Sequence, residues 1–291
     1  MKIALVSMPD IQFEAKRLSS LNGSIPPGVD PAACDRMLTE FRGTAPQRMF
    51  AAFEQALHVA LEDLKANVVC FSELGLPSRN VKPMTEAKTL AYEMSQKHGA
   101  LIVAGSGHDD RTLFNTSYMF HPGCPKDGVA FHKAISAVRV GEQISTPSQR
   151  RIPAVKMFGL TFVSMICLDI ADYASIAAVV RLGDGVHIIL VPCYSKRFDE
   201  MREIAMVASK ALPGVVALVN YGHKGAKRCH VARFGELEDP SREIGLSMGA
   251  VISILNLDFD QFQQKRIELQ NKHDEDLEYL FGKQYWFYPS S

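Results

Sequence analysis

The run Phe162-Val163-Ser164-Met165-Ile166-Cys167-Leu168-Asp169 reads as a mostly apolar strand that ends on a thiol, with a carboxylate two residues further on. Val, Ile and Phe suit a pleated, buried strand. Free cysteine is among the most buried residue types, so a strand cysteine alone says little. Cys70 and Cys193 sit in similar apolar runs and receive no role. Cys167 differs by its position, because a helical pattern begins just beyond it, near Ala171 or Asp172. A helix N-terminus favours thiolate, and its backbone N–H groups can bind an oxyanion.

Outward from this run, short apolar segments of strand length recur. They are Lys2–Met8, Asn67–Phe71, Leu101–Gly105, Thr116–Phe120, Val129–His132, Leu160–Cys167, Val186–Val191, Val215–Asn220, His230–Phe234 and Ala250–Leu257. Helical patterns fall between some of them. Pro46 to Ala66 repeats Met49, Phe53, Leu57, Ala60, Leu61 and Leu64 on one stripe. Thr85–His98 begins on a possible cap and stops before Gly99. Ala171–Leu182, Phe198–Leu212 and the polar Gln261–Asn271 complete the set. The order is βαβαβ, then consecutive strands, then βαβαβ again. That predicts an α/β plan with antiparallel pairing inside it. The simplest organisation is a single domain over 1–291. It carries an atypical insertion at 11–45, longer than a usual βα connection, and a C-terminal helix and tail at 261–291. The tail residues Tyr285-Trp286-Phe287-Tyr288 predict docking on the chain's own core or on a partner subunit.

Bulk composition excludes several function classes. Lys+Arg and Asp+Glu both number 32, so the formal charge is zero. Phosphate binding normally leaves a basic excess, which argues against nucleic acid as the main partner. No stretch approaches the roughly 18 apolar residues of a membrane span. The opening MKIALVSMPD is too short and too soon charged for a signal peptide. Six scattered cysteines without a CxxC pair predict a reducing compartment, and so a cytoplasmic protein. Cys229-His230 with His223 matches no strong zinc spacing, so no metal is expected. Gly105-Ser106-Gly107 does not complete a dinucleotide loop, and no organic cofactor is expected either.

Two further apolar runs end on a charged side chain. Val68-Val69-Cys70-Phe71-Ser72 leads to Glu73, and Val129-Ala130-Phe131-His132 leads to Lys133. Each is compatible with a solvated charge at a strand end. Together with Cys167 they form a set. A thiol needs a base to become thiolate, and acyl transfer needs a charge that stabilises the tetrahedral oxyanion.

These blocks resemble the nitrilase superfamily of carbon–nitrogen hydrolases. Val68–Pro77 is similar to that family's glutamate block. Leu113-Phe114-Asn115-Thr116 followed by Gly128–Lys133 is similar to its Asn-containing strand and lysine block. Phe158–Asp169 resembles its Gly-strand-Cys block, and Val186–Pro192, Val215–Asn220 and Ala250–Asp258 resemble its later strands. The resemblance implies a four-layer α-β-β-α sandwich with two mixed sheets face to face, and a homodimer or higher homo-oligomer. It implies Glu73 as general base, Lys133 as oxyanion cation with the Leu168 backbone N–H, and Cys167 as nucleophile. Glu142 is the candidate second glutamate. The implied reaction is hydrolysis of a small amide or carbamoyl compound through a cysteine thioester, in the amidase-like branch. A true nitrilase is one alternative, and a non-catalytic binding or assembly module on the same fold is another. The module is motivated by departures from the family pattern: Ala134-Ile135-Ser136 after the lysine, Leu168 after the cysteine, and the stretch Arg228–Gly235.

Overall fold

A computed structural model describes residues 1–9, 45–76, 82–108, 115–135, 152–172, 175–176, 179, 185–195, 198–222 and 227–281. Among them, strands β1 (Lys2–Ser7), β2 (Val68–Phe71), β3 (Leu101–His108), β4 (Asn115–Phe120) and β5 (Val129–His132) come first. After these follow β6 (Ala154–Met157), β7 (Leu160–Ser164), β8 (Ile188–Pro192), β9 (Val215–Val219), β10 (Cys229–Arg233), β11 (Glu236–Glu238), β12 (Arg242–Gly245) and β13 (Val251–Asn256). The helices are α1 (Ala45–His58), α2 (Lys82–His98), α3 (Phe198–Ala211) and α4 (Phe259–Phe281).

The strands form two sheets, ordered β12-β13-β1-β2-β3-β4-β5 and β11-β10-β9-β8-β7-β6. Each has three parallel strands at its centre, β1-β2-β3 and β7-β8-β9, flanked by antiparallel ones. Period-2 alternation sorts the side chains between two cores. Ile3, Leu5, Val68, Cys70, Leu101 and Val103 share one buried cluster with Phe162, Ile188, Leu190 and Val216 of the other sheet. Ala4, Val6, Val69, Phe71 and Ile102 point the opposite way, into a second cluster with Ala52, Phe53, Leu57, Ala87 and Ala91 of α1 and α2. Met201, Ala205 and Ala208 of α3 belong to the cluster of the second sheet, and α3 packs on β9 and β10. The layers are therefore helix, sheet, sheet, helix, as expected.

Local details differ from the sequence pattern. The first helix does not run regularly to Ala66. It widens into a π turn at Val59–Asp63, closed by Leu64 N–H to Val59 O at 2.9 Å and Ala66 N–H to Ala60 O at 2.9 Å. Lys65 then takes φ +54 and turns the chain into β2. Helix α2 begins at Lys82, three residues before the expected cap at Thr85. The strand after Gly159 stops at Ser164 and does not reach Cys167, which opens a short 3-10 turn, Cys167–Ala171. The helix expected over 171–182 is helical at the described residues 175, 176 and 179. Asp172 caps it, its Oδ2 accepting from the Ser175 N–H and hydroxyl, both at 2.9 Å. Helix α4 spans Phe259–Phe281, longer than Gln261–Asn271, with the Asp258 carboxylate accepting from Gln261 N–H at 3.1 Å. Strands β6, β11 and β12 carry no apolar signature. They lie at or beside sheet edges and expose much of their length, so sequence periodicity passes over them. The insertion at 11–45, apart from Ala45, and the aromatic tail at 285–288 lie outside the described residues.

Candidate active site

Strand direction decides which side chains meet. Strands β2 and β3 are parallel, β4 reverses, and β5 reverses again. The carboxyl ends of β2 and β5 and the amino end of β4 therefore share one edge. Glu73 follows β2, Lys133 follows β5 and Asn115 opens β4, so these three residues converge there. In the other sheet, the carboxyl ends of parallel β7, β8 and β9 lead to Cys167, Cys193 and Asn220. Ligand sites of open α/β sheets lie outside the carboxyl ends of their strands.

The two edges are joined by backbone. Glu73 N–H donates to Cys193 O at 3.2 Å, and Gly222 N–H donates to Met8 O at 2.8 Å. The Glu73 turn is held from behind. Leu74, at φ +58, donates its N–H to the Ser106 hydroxyl at 3.1 Å, and Gly75 N–H reaches Ser72 O at 3.0 Å. Gly105 packs against this turn at φ +75, and a Cβ there would sit 2.4 Å from Ser72 O. Gly105-Ser106-Gly107 thus has a structural task, and the register between β3 and β4 shifts at this point to allow it.

Glu73 and Lys133 are 3 % and 2 % exposed and form a direct ion pair, Nζ to Oε1 at 2.7 Å. Burying two charges is costly unless they are paired and hydrogen-bonded. Here the same Oε1 also accepts from the Asn115 amide at 2.8 Å. Asn115 O accepts the Lys133 N–H at 2.9 Å, so one asparagine holds both partners.

Cys167 is buried, sits at φ +50, and completes the constellation. Positive φ in a non-glycine residue is strained, and such strain gathers at functional sites. The Cys167 thiol is lowered to about 6. A hydrogen bond from the Cys193 thiol is the largest cause, and burial opposes it. The Lys133 charge, the Tyr194 backbone N–H and a hydrogen bond with Glu73 lower it further. Cys193 moves the other way, raised by burial and by the facing Cys167 sulfur. Glu73, Lys133 and Cys167 are thus brought together.

This architecture is that of known solved structures. A glutamate-to-glutamine mutant of the amidase from Nesterenkonia sp. AN1, showing the result of Michael addition of acrylamide at its active-site cysteine, superposes with a TM-score of 0.58 at 14% identity, over 94% of this chain and 99% of that one. Nit3 of Saccharomyces cerevisiae, a member of branch 10 of the nitrilase superfamily, gives 0.59 at 14% identity, over 92% and 93%. The CN-hydrolase superfamily protein XC1258 of Xanthomonas campestris, with an arsenic adduct in its active site, gives 0.60 at 16%, over 94% and 96%. The chain has the nitrilase-superfamily fold. No protein-family model and no curated protein matches the sequence.

Within this nitrilase fold, Asp169 explains the acid two residues after the cysteine. Its carboxylate is buried and accepts from Ala134 N–H at 3.0 and 3.2 Å and from Ile135 N–H at 2.9 Å. Those are the two residues after Lys133, so the Cys167 turn grips the backbone that carries the lysine. Burial raises Asp169 to about 6, against these hydrogen bonds. Asn220 plays a similar part beside Cys193. Its amide accepts from Ser195 N–H at 3.0 Å and donates to Ser195 O at 2.9 Å. Tyr194 and Tyr221 stack at 4.0 Å.

Leu168, the expected backbone donor, is the second residue of the 3-10 turn and half-buried. Glu142 lies outside the described residues. Cys229 and His230 diverge, as neighbours on a strand do. His230 stacks on Phe198 with ring centres 4.5 Å apart, and burial lowers its pKa. The Cys229 thiol is pushed up to about 11, chiefly by burial. The supporting roles of Asn115 and Asp169 are absent from the sequence-derived site. Asn115 could have been found by following the strand reversals to their common edge.

Proposed function

We propose that the chain is a carbon–nitrogen hydrolase of the nitrilase superfamily, acting on a small amide or carbamoyl compound through a Cys167 thioester. The observation that carries this is the buried Lys133–Glu73 pair beside a thiol lowered to about 6. A buried ion pair is weak as a stability device, and perturbed groups cluster at functional sites. The solved amidase of the same fold with acrylamide added at its active-site cysteine supports a thiol nucleophile at this place.

Glu73 takes the thiol proton and Cys167 attacks the carbonyl carbon. Lys133 and the Leu168 N–H stabilise the oxyanion. Glu73 returns its proton to the departing ammonia or amine, then activates water to cleave the thioester. Glu142 is assigned to holding substrate or lysine. Among the described residues no helix is long and apolar enough to cross a membrane.

Ammonia release across a panel of amides, carbamoyl compounds and nitriles tests this. Wild type turns over at least one amide or carbamoyl compound. Cys167→Ala abolishes turnover, and Glu73→Gln lowers kcat by about 10²–10⁴-fold. Turnover surviving in Cys167→Ala, or a wild type inert on the whole panel, contradicts the proposal.

A further inference from the structure

Cys193 takes no covalent step in the amide hydrolysis derived above, yet its thiol faces Cys167. Strands β7 and β8 run parallel with Ser164 opposite Leu190, an offset of 26 residues. The ladder closes on Met165 N–H to Leu190 O at 3.2 Å, just before the chain turns at Cys167–Ala171. Cys167 and Cys193 thus each lie just beyond the carboxyl end of adjacent parallel strands, and both belong to one buried cluster. The strands they follow lie about 4.8 Å apart where they pair, the scale of the ~4.4–6.8 Å between Cα atoms that a disulfide spans. The Cys193 thiol donates to the Val191 carbonyl at 3.3 Å, and it lies near enough to the Cys167 sulfur for each thiol to shift the other. Both sulfurs are buried. The backbone around Cys193 is fixed on both sides, its N–H on Val219 O at 2.7 Å and its carbonyl under Glu73 N–H. A site built only for a thiolate needs a donor there, and a hydroxyl or amide would serve. A second sulfur adds redox chemistry.

We propose that Cys193 is a resolving thiol, so that oxidation of Cys167 by a hydroperoxide ends in a Cys167–Cys193 disulfide that thiol reductants reopen. This rests on Cys167 being the reactive thiolate of the proposed hydrolase. The Cys167 sulfur attacks one peroxide oxygen. An S–O bond forms, the O–O bond breaks, and the leaving oxygen takes a proton, giving a sulfenic acid and water or alcohol. The Cys193 sulfur then attacks the Cys167 sulfur. The S–S bond forms, the S–O bond breaks, and the hydroxyl leaves with the Cys193 proton as water. Two thiols lose two electrons and two protons, and one hydroperoxide is reduced. The disulfide takes the nucleophile out of service and shields it from irreversible oxidation to sulfinic acid.

Intact mass and peptide mapping after mild hydrogen peroxide treatment test this, with iodoacetamide labelling before and after dithiothreitol. Wild type loses two hydrogens, the peptides holding Cys167 and Cys193 are joined, and dithiothreitol restores full labelling of Cys167. Cys193→Ser gains two or three oxygens on Cys167 instead, and labelling does not return. Cys193→Ala repeats the test should the serine variant fold poorly, and the wild-type map stands without either. Wild type gaining oxygens at Cys167 as the serine variant does, or linking Cys167 to a different cysteine, overturns the proposal. Because the readout is the chemistry of two sulfurs, its failure is distinct from failure to hydrolyse amides. A chain that cross-links yet hydrolyses nothing retains the pair and loses the hydrolase.

Discussion

At Cys167 three effects compete, and the hydrogen-bond and charge effects outweigh burial. Cys70, buried in β2 with no such company, is raised by burial alone. The lowered Cys167 value means that reactivity is present above about 6 and lost as pH falls through it. Iodoacetamide labelling of Cys167 against pH should show that midpoint in wild type and a higher one in Lys133→Met, which removes the cation. A wild-type midpoint near 9, the ordinary thiol value, contradicts the assigned contacts. Asp169 is tested by Asp169→Asn, which replaces one accepting oxygen with an N–H donor against the Ala134 N–H. Loss of buried hydrogen bonds of this kind costs about 1–3 kcal/mol. Denaturant unfolding should show a loss of that size, together with slower Cys167 labelling because the lysine segment is no longer held. Glu73, Lys133 and Cys167 stood out as candidates in the sequence because each is a reactive side chain closing an apolar run. Asn115 and Asp169 were less so, because their work is done on backbone groups that no residue pattern reveals.

The element that sets the Glu73 carboxylate is a pair of turns, Ser72–Gly75 and the bulge at Gly105. Gly105→Ala places a methyl 2.4 Å from Ser72 O at a φ of +75. Overpacking of this kind costs about 1–3 kcal/mol, with the left-handed backbone adding to it. The variant should therefore unfold at lower denaturant and, if it folds, lose turnover through a displaced Glu73. Unchanged stability and kcat would show that the bulge does not position the Glu73 carboxylate. Strand existence was readable from Val, Ile and Phe runs, since nearly all those residues are buried. Boundaries were not. The strand before Cys167 ends three residues early, where the chain enters the Cys167–Ala171 turn at a positive φ. The edge strands β6, β11 and β12 offered no apolar run to read.

On the scale of the molecule, the site exists because two sheets present the carboxyl ends of their parallel strands to each other. Glu73 and Lys133 come from one sheet, Cys167 and Cys193 from the other, so packing between the sheets fixes the distance between the Glu73 carboxylate and the Cys167 thiol. Phe162 lies fully buried in that packing. Phe162→Ala should cost about 3–5 kcal/mol in denaturant unfolding and lower kcat more than it raises KM. The α/β plan followed from the order of elements. The pairing of the two halves did not, because no local pattern records which sheet faces which, and only the resemblance supplied it. The most direct test of the central claim is intact-protein mass spectrometry of wild type quenched early with an amide that releases ammonia. The account predicts an acyl adduct that maps to Cys167 and is absent from Cys167→Ala. An adduct on another residue, or turnover of that amide with Cys167 replaced, would contradict it.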